Sequence, residues 1–137
     1  MCSSDLSNAY WGSLGLFLWY ITNNPKLPQY AFDAIRDKSN EAYLSVVSVW
    51  EALVKHQIGK LPLPDPADEY LDDLRAAHRI AVLPLEVQAV SHLLSLPSHH
   101  RDPFDRMLIC QALHYELTLV TNDELLHYYP VPILRPA

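Results

Sequence analysis

The stretch that decides the fold runs from His99 to Asp123, HHRDPFDRMLICQALHYELTLVTND. Pro103 suits a first helical position and Asp102 stands just before it as a helix cap, so a helix is expected from Pro103. Its apolar stripe is Leu108, Ile109, Ala112 and Tyr115. Extended one turn back at helical spacing, the stripe begins at Asp105, which puts a carboxylate on the inward face of the first turn. After the helix, Leu117 to Thr121 is a short run of β-formers ending in Asn122 and Asp123. A second acid thus sits at the carboxyl end of a buried strand, the edge where open α/β sheets bind ligands.

Working outward, Ala42–Val46 reads as a strand, followed by a helix from Ser48 to about Ile58 that Gly59 stops. Val47, Glu51, Val54 and Ile58 share one face of that helix, so a third acid lies on a largely apolar stripe. Two bland readings compete for Glu51. It completes a capping box with Ser48, or it pairs with Lys55 at the surface, an interaction worth a few tenths of a kcal/mol.

Before this helix, Leu14, Phe17, Leu18 and Ile21 mark one helical face and Pro28–Arg36 a second short helix with Ala31, Ala34 and Ile35 inward. Tyr10–Ser13 is all that remains for a strand ahead of them. Lys60–Pro66 is a proline-rich connector, and Ala67–His78 is a helix with Tyr70, Leu71 and Leu74 inward and Asp68, Asp72 and Asp73 on a solvated face. A strand at Ile80–Leu83 precedes a helix at Glu86–Leu96, with Val87, Val90 and Leu94 inward. Glu124–Tyr128 makes a short helix and Val131–Leu134 a last strand. Strands alternating with helices predict an α/β domain on a mainly parallel sheet.

The 137 residues, half of them hydrophobic and 19% charged, suit one domain with a sizeable core. Residues 1–9, MCSSDLSNA, lack periodicity and are set apart as a non-native or disordered start, leaving 10–137 as the domain. A net charge of −6 argues against gripping nucleic acid by bulk electrostatics. Any phosphate binding must be local or metal-assisted. Two cysteines, Cys2 and Cys110, make no disulfide framework, and Cys110 reads as a small core residue. The apolar run Leu14–Ile21 is too short to cross a bilayer, and no charged leader precedes it, so a cytoplasmic chain without a membrane segment is expected.

Glu51, Asp105 and Asp123 would repel one another unless neutralised, and a divalent cation is the economical neutraliser. Hard carboxylate oxygens with open water positions describe a Mg2+ or Mn2+ site, and such sites commonly hydrolyse phosphodiesters. They are therefore expected to share one cluster at the carboxyl edge. The three glycines form no dinucleotide or P-loop motif, and His99 with His100 lacks zinc-site spacing. Arg101 and Arg106 flank the acids and suit either phosphate contact or pairing with the carboxylates.

The chain resembles PIN domains, specifically VapC-like toxins of type II toxin–antitoxin pairs. The resemblance rests on LFLWYITNNPKL from Leu16, YLSVVSVWEALVKHQIGKLPLP from Tyr43, LPSHHRDPFDRMLICQALHYELTLVTND from Leu96 and the closing PVPIL. It implies an α/β/α sandwich with a central, mainly parallel sheet and a Mg2+- or Mn2+-dependent endoribonuclease. It further implies a homodimer held in check by a cognate VapB-like antitoxin whose tail covers the acidic site. Carried over by motif, the family's acids match Glu51 in SVWE, Asp105 in PFDR and Asp123 in TND. Asp102 then serves as cap or loop former and the Thr121 hydroxyl as support for a carboxylate or water. The departure is at the front: the family's first strand is barely recognisable in AYWGS, and Ser13 stands where its first aspartate belongs. That leaves two expectations, a metal-dependent ribonuclease or a catalytically impaired domain that binds antitoxin or RNA.

Overall fold

The computed structural model describes residues 8–11, 14–97, 102–121, 123, 126 and 128–134, the first four as backbone. Four parallel strands, β1 (Asn8–Trp11), β2 (Glu41–Ser45), β3 (Ala81–Leu83) and β4 (Thr118–Val120), lie in the order β3-β2-β1-β4. Ile133 adds a parallel bridge to Leu119 beyond β4. The helices are α1 (Leu14–Ile21), α2 (Gln29–Arg36), α3 (Val46–Gln57), α4 (Ala67–Ala77), α5 (Val87–Val90) and α6 (Pro103–Tyr115), with a 3-10 turn at Ser91–Ser95. The strand order runs outward from β1 in one direction and then reverses to β4, so the sheet has its switch point between β1 and β4.

Alternating side chains show that both faces of the sheet are covered, the α/β/α arrangement expected from sequence. Ala42 and Leu44 of β2, with Val120 of β4, enter a core shared with Leu16, Phe17, Ala31 and Leu71 from the helices. Tyr43 and Leu119 point the other way, to a core with Leu108, Ile109 and Ala112 of α6. Each fully buried Leu, Ile or Phe in these cores contributes about 1.5–3 kcal/mol of transfer free energy.

Several helices end alike. A residue at or just after the cap takes a left-handed conformation at Asn23, Gly59, Arg79 and Glu116, and a six-residue hydrogen bond closes each end, Asn24 N–H to Trp19 O, Lys60 to Lys55, Ile80 to Arg75 and Leu117 to Ala112. Glycine fills that position only at Gly59, where it was expected.

Four expectations require correction. The first strand includes Asn8 and Ala9, paired with Glu41 and Ala42 of β2, rather than starting at Tyr10, because parallel pairing is made by the backbone and tolerates small polar residues. Helix α1 buries Leu14, Leu16, Phe17 and Tyr20 rather than the face through Leu18 and Ile21; an almost wholly apolar helix offers no contrast from which to choose a face. Helix α3 begins at Val46, and Ser45 caps it by accepting the Val47 N–H at 2.9 Å. The Ser48–Glu51 capping box is therefore absent, and the buried face is Val47, Ser48, Glu51 and Ala52, with Ile58 exposed. Finally, the helix expected over Glu86–Leu96 is α5 followed by the 3-10 turn. A change from 3.6 to 3.0 residues per turn breaks the apolar register, leaving Val87 78% and Leu94 93% exposed while Ala89 is buried.

The helix expected at Glu124–Tyr128 includes residues outside those described. Leu126 within that stretch and Tyr129 just after it are buried in the α6 core. No helix among the described residues is long and apolar enough to cross a membrane.

Candidate functional site

Three segments bring acids to the carboxyl side of the sheet. Glu51 rides on α3, which leaves the carboxyl end of β2 directly through Ser45. Only 9% of Glu51 is exposed, and Lys55, one turn on, meets its Oε2 at 2.8 Å. The surface pair anticipated from sequence is thus formed, but it joins a buried carboxylate to a half-exposed ammonium. Water screens Lys55, so the pair offsets little of the cost of holding Glu51 inside.

Asp105 lies half-buried in the first turn of α6, whose start is fixed as the sequence suggested. Asp102 accepts the Phe104 N–H at 2.9 Å, and Pro103 occupies the first turn. A carboxylate in that turn is favoured by the positive end of the helix dipole. Helices α3 and α6 meet through Trp50 and Phe104, whose rings lie edge to face with centroids 4.8 Å apart. Each aromatic is the immediate neighbour of a candidate acid.

Asp123 follows β4. Thr121 is buried and its Oγ1 accepts the Asp123 N–H at 3.0 Å, so this hydroxyl shapes the turn that presents the acid. Its own proton stays available for a carboxylate or water. By connectivity this turn lies at the β1/β4 switch point. Ser13 and Arg101 lie outside the described residues.

Gln111 is a residue that pattern reading passed over. It is fully buried on α6, accepts the Ser45 hydroxyl, and donates to the Pro84 carbonyl at 2.9 Å and more weakly to Leu83 at 3.4 Å. One amide thereby ties α6 to the carboxyl ends of β2 and β3, holding in register the elements that carry Glu51 and Asp105. The available signal was a polar amide within the buried run LICQAL, where an unsatisfied side chain is costly. Cys110 beside it is a buried free thiol, pushed up in pKa by burial against a smaller lowering by Arg106, and is inert core.

Among the described residues no group of three or more His, Cys, Asp or Glu side chains is disposed to hold a metal ion. Glu51, Asp105 and Asp123 therefore do not form a ready-made three-acid cage. Two orphaned polar atoms mark the same region: Ser48 Oγ, three residues before Glu51 on the same buried face, and Arg106 Nε, next to Asp105. No ion pair among the described residues includes Arg106. Buried polar atoms without protein partners call for water or an ion. The Arg106 donor calls for water or an anion, whereas carboxylate oxygens near the Ser48 hydroxyl suit a cation that keeps much of its water and takes one or two carboxylates, the habit of Mg2+.

The PIN domain family matches residues 15–131 of the chain. Ribonuclease VapC16 of Mycobacterium tuberculosis (strain ATCC 25618 / H37Rv) is 31% identical over 90 residues, which are 63% of this chain and 59% of that protein. The match thus spans less than two thirds of the relative's length. Among solved structures, VapBC2 from Rickettsia felis, bound to a DNA fragment from its promoter, aligns with a TM-score of 0.69 at 15% identity, covering 93% of this chain and 97% of the other. FitAcB from Neisseria gonorrhoeae aligns with a TM-score of 0.59 at 16% identity, over 93% and 96% of the two chains. At these identities the structural likeness establishes the fold.

Proposed function

Since the chain belongs to the PIN domain family, VapC-like branch, we propose that it is a divalent-metal-dependent endoribonuclease of a toxin–antitoxin pair, with its site at the carboxyl edge between α3, α6 and the turn after β4. The observation that carries this reading is the burial of Glu51 with only an exposed lysine to balance it. A buried carboxylate is destabilising unless a ligand repays it. Glu51, Asp105 and Asp123 would share Mg2+ or Mn2+ with its retained water, one or two of them touching the ion directly, with the Thr121 hydroxyl and Asp102 shaping the loops around them. When bound, such an ion supplies Lewis-acid stabilisation of phosphoryl charge. The chain's own part is to orient: Arg106, and Arg101 by its place in the same motif, meet the RNA phosphates. Gln111 keeps the helices in place.

An antitoxin partner is supported by the antitoxin–toxin complexes among the structural neighbours, and by Trp50, 57% exposed beside the acids at the rim of a groove along α3. Val87 and Leu94, turned outward at α5 and its 3-10 turn, support a homodimer. Ser13, in the place of the family's first acid, favours a second reading in which the chain binds antitoxin or RNA with impaired catalysis.

The test is cleavage of a fluorescent single-stranded RNA with Mg2+, with chelator, and by the Asp105→Asn variant. Metal-dependent cleavage lost in the variant supports the reading. Undiminished cleavage by the variant places catalysis elsewhere, and no cleavage by the parent chain favours the impaired reading.

A further inference from the structure

The chain holds 10 Lys and Arg against 16 Asp and Glu, yet Arg36, Lys38 and Arg79 converge on one cavity of about 330 Å3. Arg36 closes α2, Lys38 lies in the turn before β2, and Arg79 follows α4 just before β3. The cavity therefore sits at the amino ends of β2 and β3, across the sheet from the acids. The ion pairs among the described residues are Lys55–Glu51, His56–Asp65 and Arg75–Asp72, and none involves these three.

The acid that lines the cavity, Asp37, is engaged by its own turn. Its Oδ1 accepts the Ser39 N–H at 3.0 Å and the Ser39 hydroxyl at 2.7 Å. Arg36, Lys38 and Arg79 against Asp37 give the lining an excess of two positive charges. The arginines are also positioned. The Arg36 guanidinium stands 5.3 Å from the centre of the Phe32 ring, a cation–π arrangement that limits its rotamers. Arg79 takes the left-handed position, φ 57°, that ends α4, where glycine would be cheaper. The Tyr20 phenol and the His78 ring, edge to face at 5.7 Å, close the inner wall. His78 Nδ1 donates to the Leu74 carbonyl at 2.8 Å, which fixes the ring in that wall.

We propose that this cavity binds a phosphate monoester no larger than a nucleotide, held by Arg36, Lys38 and Arg79. Planar guanidinium forks match phosphate oxygens, and two excess charges match a dianion. The volume lies at the small end of the range for ligand sites, about 300–1,000 Å3. A bound strand running on from the cavity is disfavoured, because the rest of a chain with net charge −6 repels a polyanion.

The experiment is calorimetric titration of the full chain, in phosphate-free buffer, with inorganic phosphate, 5′-AMP, adenosine and a short RNA bearing a 5′-phosphate. Phosphate and 5′-AMP should bind and adenosine should not. Lys38→Ala with Arg79→Gly, which keeps the left-handed turn, should weaken 5′-AMP at least about tenfold, the scale of a lost charge-assisted hydrogen bond. Arg36→Gln should do likewise if the double variant misfolds. Lys26→Ala with Lys60→Ala, the same charge loss elsewhere, should change affinity less than about twofold. Tighter binding of the phosphorylated RNA than of 5′-AMP would identify an RNA end as the source, and the reverse a free nucleotide. Equal weakening by the control pair, binding of adenosine, or no binding of 5′-AMP would overturn the site.

Discussion

The two edges of the sheet are built on opposite electrostatic terms. At the carboxyl edge acids are drawn in, Glu51 on the buried face of α3 with a half-exposed lysine as its ion-pair partner and Asp105 half-buried in the first turn of α6. At the amino edge, three cations without ion-pair partners among the described residues surround a cavity, and the nearby acid is tied to a serine. A net charge of −6 averages over this segregation and hides it. Bulk charge argues against a general polyanion binder, whereas local charge sets what each proposed site would favour, a cation at one edge and a phosphate at the other.

The largest expected effect is at the acidic edge. Asp105→Asn keeps the shape of the side chain and removes a charge the cation requires, so any metal-dependent RNA cleavage should fall at least about 100-fold, with the far-UV spectrum unchanged. Retained cleavage would break the contrast by showing that the acidic edge is not catalytic.

Gln111→Leu should be the most destabilising of the changes considered, because it leaves the buried Ser45 hydroxyl and the Pro84 carbonyl without their partner. The expected cost is about 1–3 kcal/mol, read as a lowered urea midpoint at unchanged slope. The same variant should leave 5′-AMP binding at the amino edge as it was. A parallel loss there would mean that the two edges are not independent.

A smaller effect is expected from Lys55→Gln. Removing the ammonium that sits 2.8 Å from Glu51 frees the carboxylate, and Mg2+ affinity should rise about two- to fivefold, the scale of an exposed ion pair. A fall in affinity would show that Lys55 supports the site rather than competing for it.

The smallest effect lies at neither edge. Tyr115 donates to Glu86, and that bond pushes the phenol pKa from 10.0 up to about 12. The folded state binds this proton more tightly than the unfolded chain. The stabilisation is therefore fully present below pH 10 and lost as pH rises towards 12. Tyr115→Phe should cost less than about 1 kcal/mol at pH 8, and urea melts of the two chains should converge above pH 12.

Legibility in the sequence followed chemistry that acts locally. Asp102 and Pro103 announced the start of α6, Gly59 the end of α3, and the run through Val120 the strand that carries Asp123. Face assignment failed where the pattern lacked contrast or changed period. Helix α1 is apolar all round, and α5 yields to a 3-10 turn that scatters Val87 and Leu94 outward. The end of α4 at His78 was readable, but the left-handed residues Arg79 and Glu116 that close α4 and α6 were not, because neither residue type signals such a turn. At the candidate site, the acid types and their elements were readable, whereas Gln111, Ser48 and the Trp50–Phe104 contact were not. Those depend on which helix lies against which strand end, a tertiary fact without a local signature. The basic cavity was missed for the same reason: Arg36 and Arg79 lie far apart in sequence and meet only when β2 and β3 pair.

The central claim is that the carboxyl edge is a divalent-cation site weakened by the serine at position 13. Its most direct test is a calorimetric Mg2+ titration of the parent chain beside Ser13→Asp and Asp123→Asn. Restoring a carboxylate should tighten binding by about 10- to 100-fold and removing one should weaken it by a similar factor. Equal affinity in all three chains would contradict the account, since neither residue would then face a bound ion.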